Sequence, residues 1–220
     1  MDYRSTSSTA HPIHGIIVAG GQGVRLGGVS KADLDLGGRL LDRVLEAIAG
    51  LGRGHIVVVA PDTVEVRPCV GNMQVSRTME EPPGGGPLAG IGAGVDFLAQ
   101  EVKVASDDLV VISSVDLPGI GAIVWDLVQA AREAGDVDGA IAYGGAGEPF
   151  DQYLLGVYRF GALCQALAQV AGVEAGFGQH LHSIGVRRAL RTLSLIRVPA
   201  SEEACRDIDS PEDLQWWHSH

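Results

Sequence analysis

The sequence predicts an α/β protein, a Rossmann-like three-layer α/β/α arrangement around a mostly parallel sheet. Three observations predict it. Apolar residues make up 46% of the 220-residue chain and aromatics only 5%, a core of Val, Leu, Ile and Ala of the kind α/β proteins use. Short β-branched runs alternate with segments of helical periodicity. The strand runs are continuously apolar, as strands covered on both faces must be.

In chain order, strands are expected over 14–19, 55–60, 73–77, 109–113, 139–143, 153–158 and 195–198. Each is a short run rich in Val, Ile or Tyr, and Gly or Pro punctuates most boundaries. Helices are expected over 40–51, 88–101, 120–134, 160–170, 181–190 and 211–217. The irregular stretch 142–155 is expected to hold an antiparallel strand. Residues 1–12, small and polar without a basic and then apolar leader, read as a disordered tail ahead of one domain over 13–220. No internal repeat or low-complexity linker divides that domain.

Charge and cysteine usage narrow the function classes. With 27 acidic against 16 basic residues the formal net charge is −11, which repels nucleic acid and anionic lipid, so neither is expected as a partner. The longest apolar runs are far too short to span a bilayer. Cys69, Cys164 and Cys205 match no metal-ligand spacing and read as ordinary thiols of a cytoplasmic protein. A small anionic substrate requires cations gathered locally, which makes the position of each Arg and Lys informative.

In a sheet of this kind the ligand crevice lies beyond the carboxyl ends of the strands. Three strands run into distinctive loops there, and all three loops are expected to converge on one site. The first, "VAGGQGVRLGGVSK" over 18–31, sets five glycines around Arg25 and ends on Lys31. Glycine lets backbone N–H groups approach a ligand closely, and such groups after a strand cradle anions. Two standard phosphate motifs fail: Val29 stands where a Walker A loop needs Lys, and Leu26 where a dinucleotide loop needs Gly. What remains is a glycine loop carrying two cations, against the alternative of a flexible turn.

The second loop, "EEPPGGGPLAGIGAGV" over 80–95, is stiffened by Pro82 and Pro83, and Pro87 suits a first helical turn. Its small residues allow the helix to approach the sheet or a flat ligand closely. Glu80 or Glu81 has acceptors for the adjacent N–H donors of a guanine edge. The third, "VVISSVDLP", ends on Asp116, placed to hold Mg²⁺ against phosphate oxygens or, alternatively, to cap the next helix. Near the C-terminus, "RDIDSPEDL" over 206–214 reads as a capping box of Ser210 and Asp213 with Pro211 in the first turn; Asp207 or Asp209 is left to reach a metal. Arg187, Arg188 and Arg191 cluster in "GVRRALRTL" as a solvated basic face or a dock for a second phosphorylated substrate.

These motifs resemble, in the same order, those of the nucleotidyltransferases that elaborate the molybdenum cofactor. The first loop is similar to their A-G-G-x-x-x-R-[ML]-G-G-x-x-K signature, and "GPLAGI", "VDLP" and "DIDSPEDL" to their later motifs. The resemblance covers 16–217, and departs from the family where Ser30 replaces a frequent Asp. It implies a nucleotidyltransferase-type fold and a Mg²⁺-dependent transfer of GMP from GTP to molybdopterin with release of pyrophosphate. The Ala19-Gly20-Gly21 form and the G-P-L-A-G motif point within the family to GTP. The resemblance further implies that Val18, Ala19 and Gly20 line the base and ribose. Gly21, Gly23, Arg25 and Lys31 would hold the triphosphate, and Gly86, Pro87 and Leu88 would complete the nucleotide site. Glu81 takes the guanine-reading role, Asp116 the metal, with Asp209 its expected partner from the C-terminal motif, and Arg25, Lys31 and Asp116 the catalysis. Alternatives are a molybdopterin cytidylyltransferase, a sugar- or polyol-phosphate nucleotidyltransferase, or a non-catalytic nucleotide-binding partner of cofactor-insertion proteins.

Overall fold

The computed structural model describes residues 11–23 and 28–220. The expected tail, apart from His11 and Pro12, and Arg25 lie outside those residues. One eight-stranded sheet runs through the chain. Its strands are β1 (Ile13–Val18), β4 (His55–Val59), β5 (Cys69–Val70), β6 (Met73–Thr78), β7 (Leu109–Ser114), β8 (Gly139–Gly144), β9 (Phe150–Arg159) and β10 (Leu195–Pro199), and a separate two-stranded ribbon joins β2 (Gln22–Gly23) to β3 (Val29–Ser30). The spatial order is β10-β8-β9-β7-β1-β4-β6-β5. β1 pairs in parallel with β4 and β7, β4 with β6, and β8 with β10, whereas β9 runs antiparallel to both β7 and β8. β1, with its glycine loop, therefore lies at the centre.

The pleat explains the two cores, because successive side chains of a strand face opposite ways. Ile17, Val58 and Val111 face one side and pack on Leu41, Val44, Leu45 and Ile48 of α1 (Leu40–Ala49) and on Leu127 and Val128 of α3 (Val124–Glu133). Ile16, Val57, Val59 and Ile112 face the other side. There they meet Leu88, Ile91 and Val95 of α2 (Pro87–Phe97), Leu163 and Leu167 of α4 (Phe160–Ala171), Phe177 of α5 (Phe177–His180) and Leu190 of α6 (Val186–Leu190). Two short C-terminal helices follow, α7 (Glu202–Cys205) and α8 (Pro211–Ser219). α8 seals a third cluster in which Ile208 and Trp217 bury Leu34 and Leu40.

The small residues of α2 serve packing. A Cβ on Gly94 would come within 2.7 Å of the Ile16 side chain, and one on Gly92 within 2.9 Å of the Phe177 backbone. The helix thus lies against the sheet on one side and α5 on the other.

The antiparallel strand expected within 142–155 is β9, which begins at Phe150 and pairs back on β8 across a register shift at Ile141/Ala142. The expected helix over 181–190 is a single turn, α6: Ser183 takes a positive φ of 60° and Gly185 is extended, so the chain cannot coil until Val186. The expected helix over 120–134 starts as a 3-10 turn, Pro118–Ala122, before α3.

At the amino end of the sheet buried His14 and half-buried His55 form a polar pair. The His14 Nδ1 accepts the His55 backbone N–H at 3.2 Å, which leaves its ring proton on Nε2, 3.7 Å from Asp108. Burial lowers the pKa of His14, against the pull of Asp108, and burial likewise lowers that of His55. A histidine of lowered pKa takes its proton in the unfolded chain first, so its contribution is complete above the ordinary value of 6.5 and is lost as the pH falls through it. The unfolding midpoint in urea is expected to fall between about pH 7.5 and 5.5, by less in His14→Gln than in the native chain.

Candidate active site

The carboxyl ends of the central strands are laced by backbone hydrogen bonds. Ala19 N–H donates to Val59 O at 2.8 Å, and Val115 N–H to Val18 O at 3.0 Å. Ile208 N–H donates to Asp116 O at 3.0 Å, which brings the C-terminal segment in beside them. The ribbon of β2 and β3 returns the glycine loop to Ser30, and a 3-10 turn, Lys31–Asp33, follows. Buried Ala32 and Leu34 anchor that turn, so Lys31 is presented at a fixed point over the strand ends.

Lys31 joins two carboxylates. Its Nζ donates to Asp116 Oδ2 at 2.7 Å and to Asp209 Oδ1 at 2.5 Å. Burial works against the ammonium charge, but the hydrogen bonds that the ammonium donates to Asp116 and then Asp209 outweigh it and raise the Lys31 pKa. Two acidic residues far apart in the chain thus meet on one cation.

Asp209 owes its place to the predicted capping box. The Asp213 carboxylate accepts the Ser210 N–H at 3.0 Å and the Ser210 hydroxyl accepts the Asp213 N–H at 3.2 Å. The Asp209 N–H also donates to Asp213, at 3.3 Å. Buried Ile208 pins the other side. Asp207, by contrast, makes no hydrogen bond to Lys31. The partial enclosure of its carboxyl, followed by the charges of Asp209 and Asp116, raises its pKa although the residue as a whole is exposed. Removing the cap in Ser210→Ala is expected to cost about 0.5–2 kcal/mol of stability, read as a lower thermal midpoint.

The second loop supplies a helix N-terminus. Gly86 adopts φ 90°, a conformation glycine reaches without strain, and Pro87 opens α2 with no side-chain cap on its first N–H groups. Glu80, buried, holds the preceding glycines by accepting the N–H groups of Gly84 at 3.0 Å and Gly85 at 3.3 Å. The uncapped N–H groups and the helix dipole favour an anion there.

Between these parts lies a cleft of about 250 Å³, lined by Val18, Gly20, Gly21, Lys31, Gly86, Pro87 and Asp116, together with Val59, Glu80, Gly84, Ser114 and Val115. The three loops do converge. A second cavity of about 450 Å³ shares Pro87, Ser114 and Asp116 with it and extends past Asp209 to Phe150. Of the other expected site residues, Ala19 is buried beneath the cleft and Gly23 sits in β2. The Leu88 side chain is wholly buried in the core, so only its backbone N–H remains for a ligand. Glu81 is exposed and lines a neighbouring hollow, whereas Glu80 lines the cleft. Adjacent glutamates before two prolines carry no sequence signal that separates them. Ser114 also lines the cleft without being expected there, since a serine ending a strand forms no pattern.

The donor set bears on metal binding. Among the described residues no group of three or more His, Cys, Asp or Glu side chains is arranged to hold an ion. Asp116 and Asp209, however, already share one cation, and Mg²⁺ takes one or two carboxylates with substrate phosphates and water for the rest. The pair fits a metal that arrives with a triphosphate.

The fold is shared with proteins of known structure. A molybdopterin-guanine dinucleotide biosynthesis protein A from Archaeoglobus fulgidus is 19% identical, with TM-score 0.60 over 94% of this chain and 97% of that one. A 2-C-methyl-D-erythritol 4-phosphate cytidylyltransferase from Thermus thermophilus is 18% identical, with TM-score 0.62 over 94% and 98%. Rv0371c from Mycobacterium tuberculosis H37Rv is 14% identical, with TM-score 0.65 over 96% and 100%. At such identities the likeness extends to the fold alone. No functionally curated protein matches the chain in sequence. No helix among the described residues is long and apolar enough to cross a membrane. Residues 15–184 match the MobA-like NTP transferase domain, a match that takes in the glycine loop, Lys31, the α2 N-terminus and Asp116, and the chain belongs to that family.

Proposed function

We propose that the protein transfers GMP from GTP to molybdopterin and releases pyrophosphate. The observation that carries the reading is Lys31 bridging Asp116 and Asp209 at the mouth of a cleft closed by a glycine loop and an uncapped helix N-terminus. Molybdopterin as acceptor is supported by the order of the four sequence motifs and by the role of the Archaeoglobus fulgidus neighbour in molybdopterin-guanine dinucleotide biosynthesis.

A phosphate oxygen of the acceptor attacks the α-phosphorus, a P–O bond forms, and the bond to the leaving β-phosphate breaks with its electron pair on pyrophosphate. The nucleophile is already an anion at neutral pH, so no side chain need remove a proton. The barrier is the approach of anions and the charge on the phosphates, which positioning and electrostatics lower. Val18, Gly20 and Gly21 line the nucleoside side of the cleft, and the N–H groups at the start of α2 meet phosphate oxygens. Lys31 turns from its carboxylates to the triphosphate as a point charge, and Arg25 adds a forked contact. Glu80 rather than Glu81 takes the base-reading place, because Glu80 lines the cleft. Asp116 and Asp209 would hold Mg²⁺, which when bound offsets charge on phosphate oxygens.

Calorimetric titration with GTP, CTP, ATP and UTP in the presence of Mg²⁺ tests the nucleotide. GTP is expected to bind at least about tenfold tighter than CTP. Tighter CTP binding would move the protein to cytidylyl transfer, the activity of the Thermus thermophilus neighbour.

A further inference from the structure

Two cavities meet at Pro87, Ser114 and Asp116: the cleft of about 250 Å³ and a larger one of about 450 Å³. The nucleotide reading uses only the first. Nucleotidyl transfer joins two substrates at one phosphorus, so a second molecule has to reach the carboxylate pair as well. The larger cavity is lined by both Asp116 and Asp209.

The walls of that cavity restrict what fits it. Phe150 and Gln152, two apart on β9, stand on one face of the strand, and both bear on Gly145. A Cβ on Gly145 would come within 2.8 Å of the Phe150 ring and 3.5 Å of Gln152 Nε2, and Gly145 has a φ of 137°. One edge of the ring thus rests on bare backbone, while Phe150 stays 55% exposed and keeps ring surface open to the cavity. Gln152 donates from Nε2 to Gly144 O at 3.1 Å, which leaves Oε1 to accept a hydrogen bond.

The cations of this region are already paired. Arg206, the one guanidinium in the lining among the described residues, donates to Glu202 Oε1 at 3.1 Å and Asp213 Oδ1 at 3.4 Å. Asp116 and Asp209 hold Lys31 between them. Asp207, also in the lining, enters no ion pair among the described residues. Beyond its junction with the cleft, the cavity therefore offers a flat apolar ring and hydrogen-bond acceptors.

We propose that this cavity seats the ring of the acceptor, with Phe150 as a stacking platform and Gln152 Oε1 and the Asp207 carboxylate accepting the N–H donors along the ring's edge. The inference rests on the nucleotidyltransferase reading and deepens it by naming the residues that select the acceptor: a flat heterocycle rich in N–H donors. The acceptor's one phosphate stays at the junction of the two cavities, beside Lys31, and its uncharged ring extends away from the nucleotide. An aromatic side chain favours offset stacking with such a ring, and a carboxylate takes charge-assisted hydrogen bonds from its amino group. A sugar phosphate has hydroxyls for the acceptors but no flat ring for Phe150.

Two measurements test it. In transfer assays Phe150→Ala is expected to raise the acceptor KM about tenfold, the scale of one lost stacked ring, with kcat at saturating acceptor and GTP affinity kept. Phe150→Tyr, which keeps a flat ring, is expected to retain a KM close to native, and Phe150→Leu, which keeps apolar bulk alone, to behave as Phe150→Ala. In the second measurement free pterin is titrated onto protein carrying ring-labelled phenylalanine, with Mg²⁺ and a non-reacting methylene analogue of GTP in the cleft, and followed by NMR. A saturable shift of the Phe150 resonance, assigned by its absence in Phe150→Leu, is expected. Lumazine, with a carbonyl in place of the 2-amino donor, is expected to bind at least about tenfold more weakly. An unchanged acceptor KM in Phe150→Ala, a native KM in Phe150→Leu, or no shift of Phe150 would each overturn the proposal, and equal binding of lumazine would overturn the part given to Gln152 and Asp207. Failure of the native protein to transfer GMP to molybdopterin is a different result. It would sink the function proposed above, while the pterin titration would still decide whether this cavity holds such a ring.

Discussion

Lys31→Ala is expected to lower kcat/KM for nucleotidyl transfer by about 10²–10³-fold, or about 2.7–4 kcal/mol, the scale of one lost charge-stabilising donor in an enclosed site. Lys31 is the cation that the structure fixes at the cleft, with its side chain 12% exposed and its Nζ between Asp116 and Asp209. Removing it takes a positive charge from where the phosphates gather and leaves two carboxylates facing each other. Both effects act against an incoming triphosphate, so GTP affinity falls as well as kcat. Steady-state kinetics with calorimetry on the same preparation separates the two. Retention of native kcat/KM by Lys31→Ala would remove the residue from the catalytic role.

Leu88→Ala is expected to act on stability instead. Leu88 follows Pro87 directly at the cleft, but its side chain is 0% exposed and packs in the core between α2 and the sheet. Truncating such a side chain leaves a cavity and costs about 2–5 kcal/mol. In a chain of this size each kcal/mol lowers the thermal midpoint by about 2–4 °C. GTP affinity at a temperature where the variant stays folded is expected to be close to native, because only the backbone of this residue faces the ligand. A large loss of GTP affinity with an unchanged melting point would show that the side chain, not the backbone, serves the nucleotide.

These two residues show how far the sequence could be read. Lys31 and Asp116 were legible because each sits at a loop that follows a buried strand, where glycine, Pro118 and isolated charge stand out from an apolar background. The parallel pairing of β1, β4 and β7 followed from strand runs with no polar face, whereas β6 carries the exposed Gln74 and Arg77. Asp209 was legible only as one of two candidates. Its choice over Asp207 depends on Ile208 turning inward to pack with Trp217, a tertiary fact that residue spacing does not carry. Leu88 was misleading in a different way: a motif names a position, and at a helix N-terminus the backbone and the side chain of one residue serve different ends. The same holds for Glu80 and Glu81, where the direction of each carboxylate is set by the glycine turn behind it. The short α6 was obscured because an apolar period over 181–190 fits a helix, while the positive φ of Ser183 is a matter of local packing.

Within the site, the division of labour follows from what each element can supply. Strand ends give fixed backbone, the glycine loop and α2 give N–H groups, and the C-terminal capping box holds one acidic partner for Lys31.

The central claim is tested most directly by incubating the purified protein with GTP, Mg²⁺ and molybdopterin and following the products by mass spectrometry. The account predicts an adduct heavier than molybdopterin by one GMP moiety, with one pyrophosphate released per adduct, and a comparable loss of both products in Lys31→Ala. GTP binding with neither adduct nor pyrophosphate, or GMP transfer to a phosphosugar and not to molybdopterin, would contradict it.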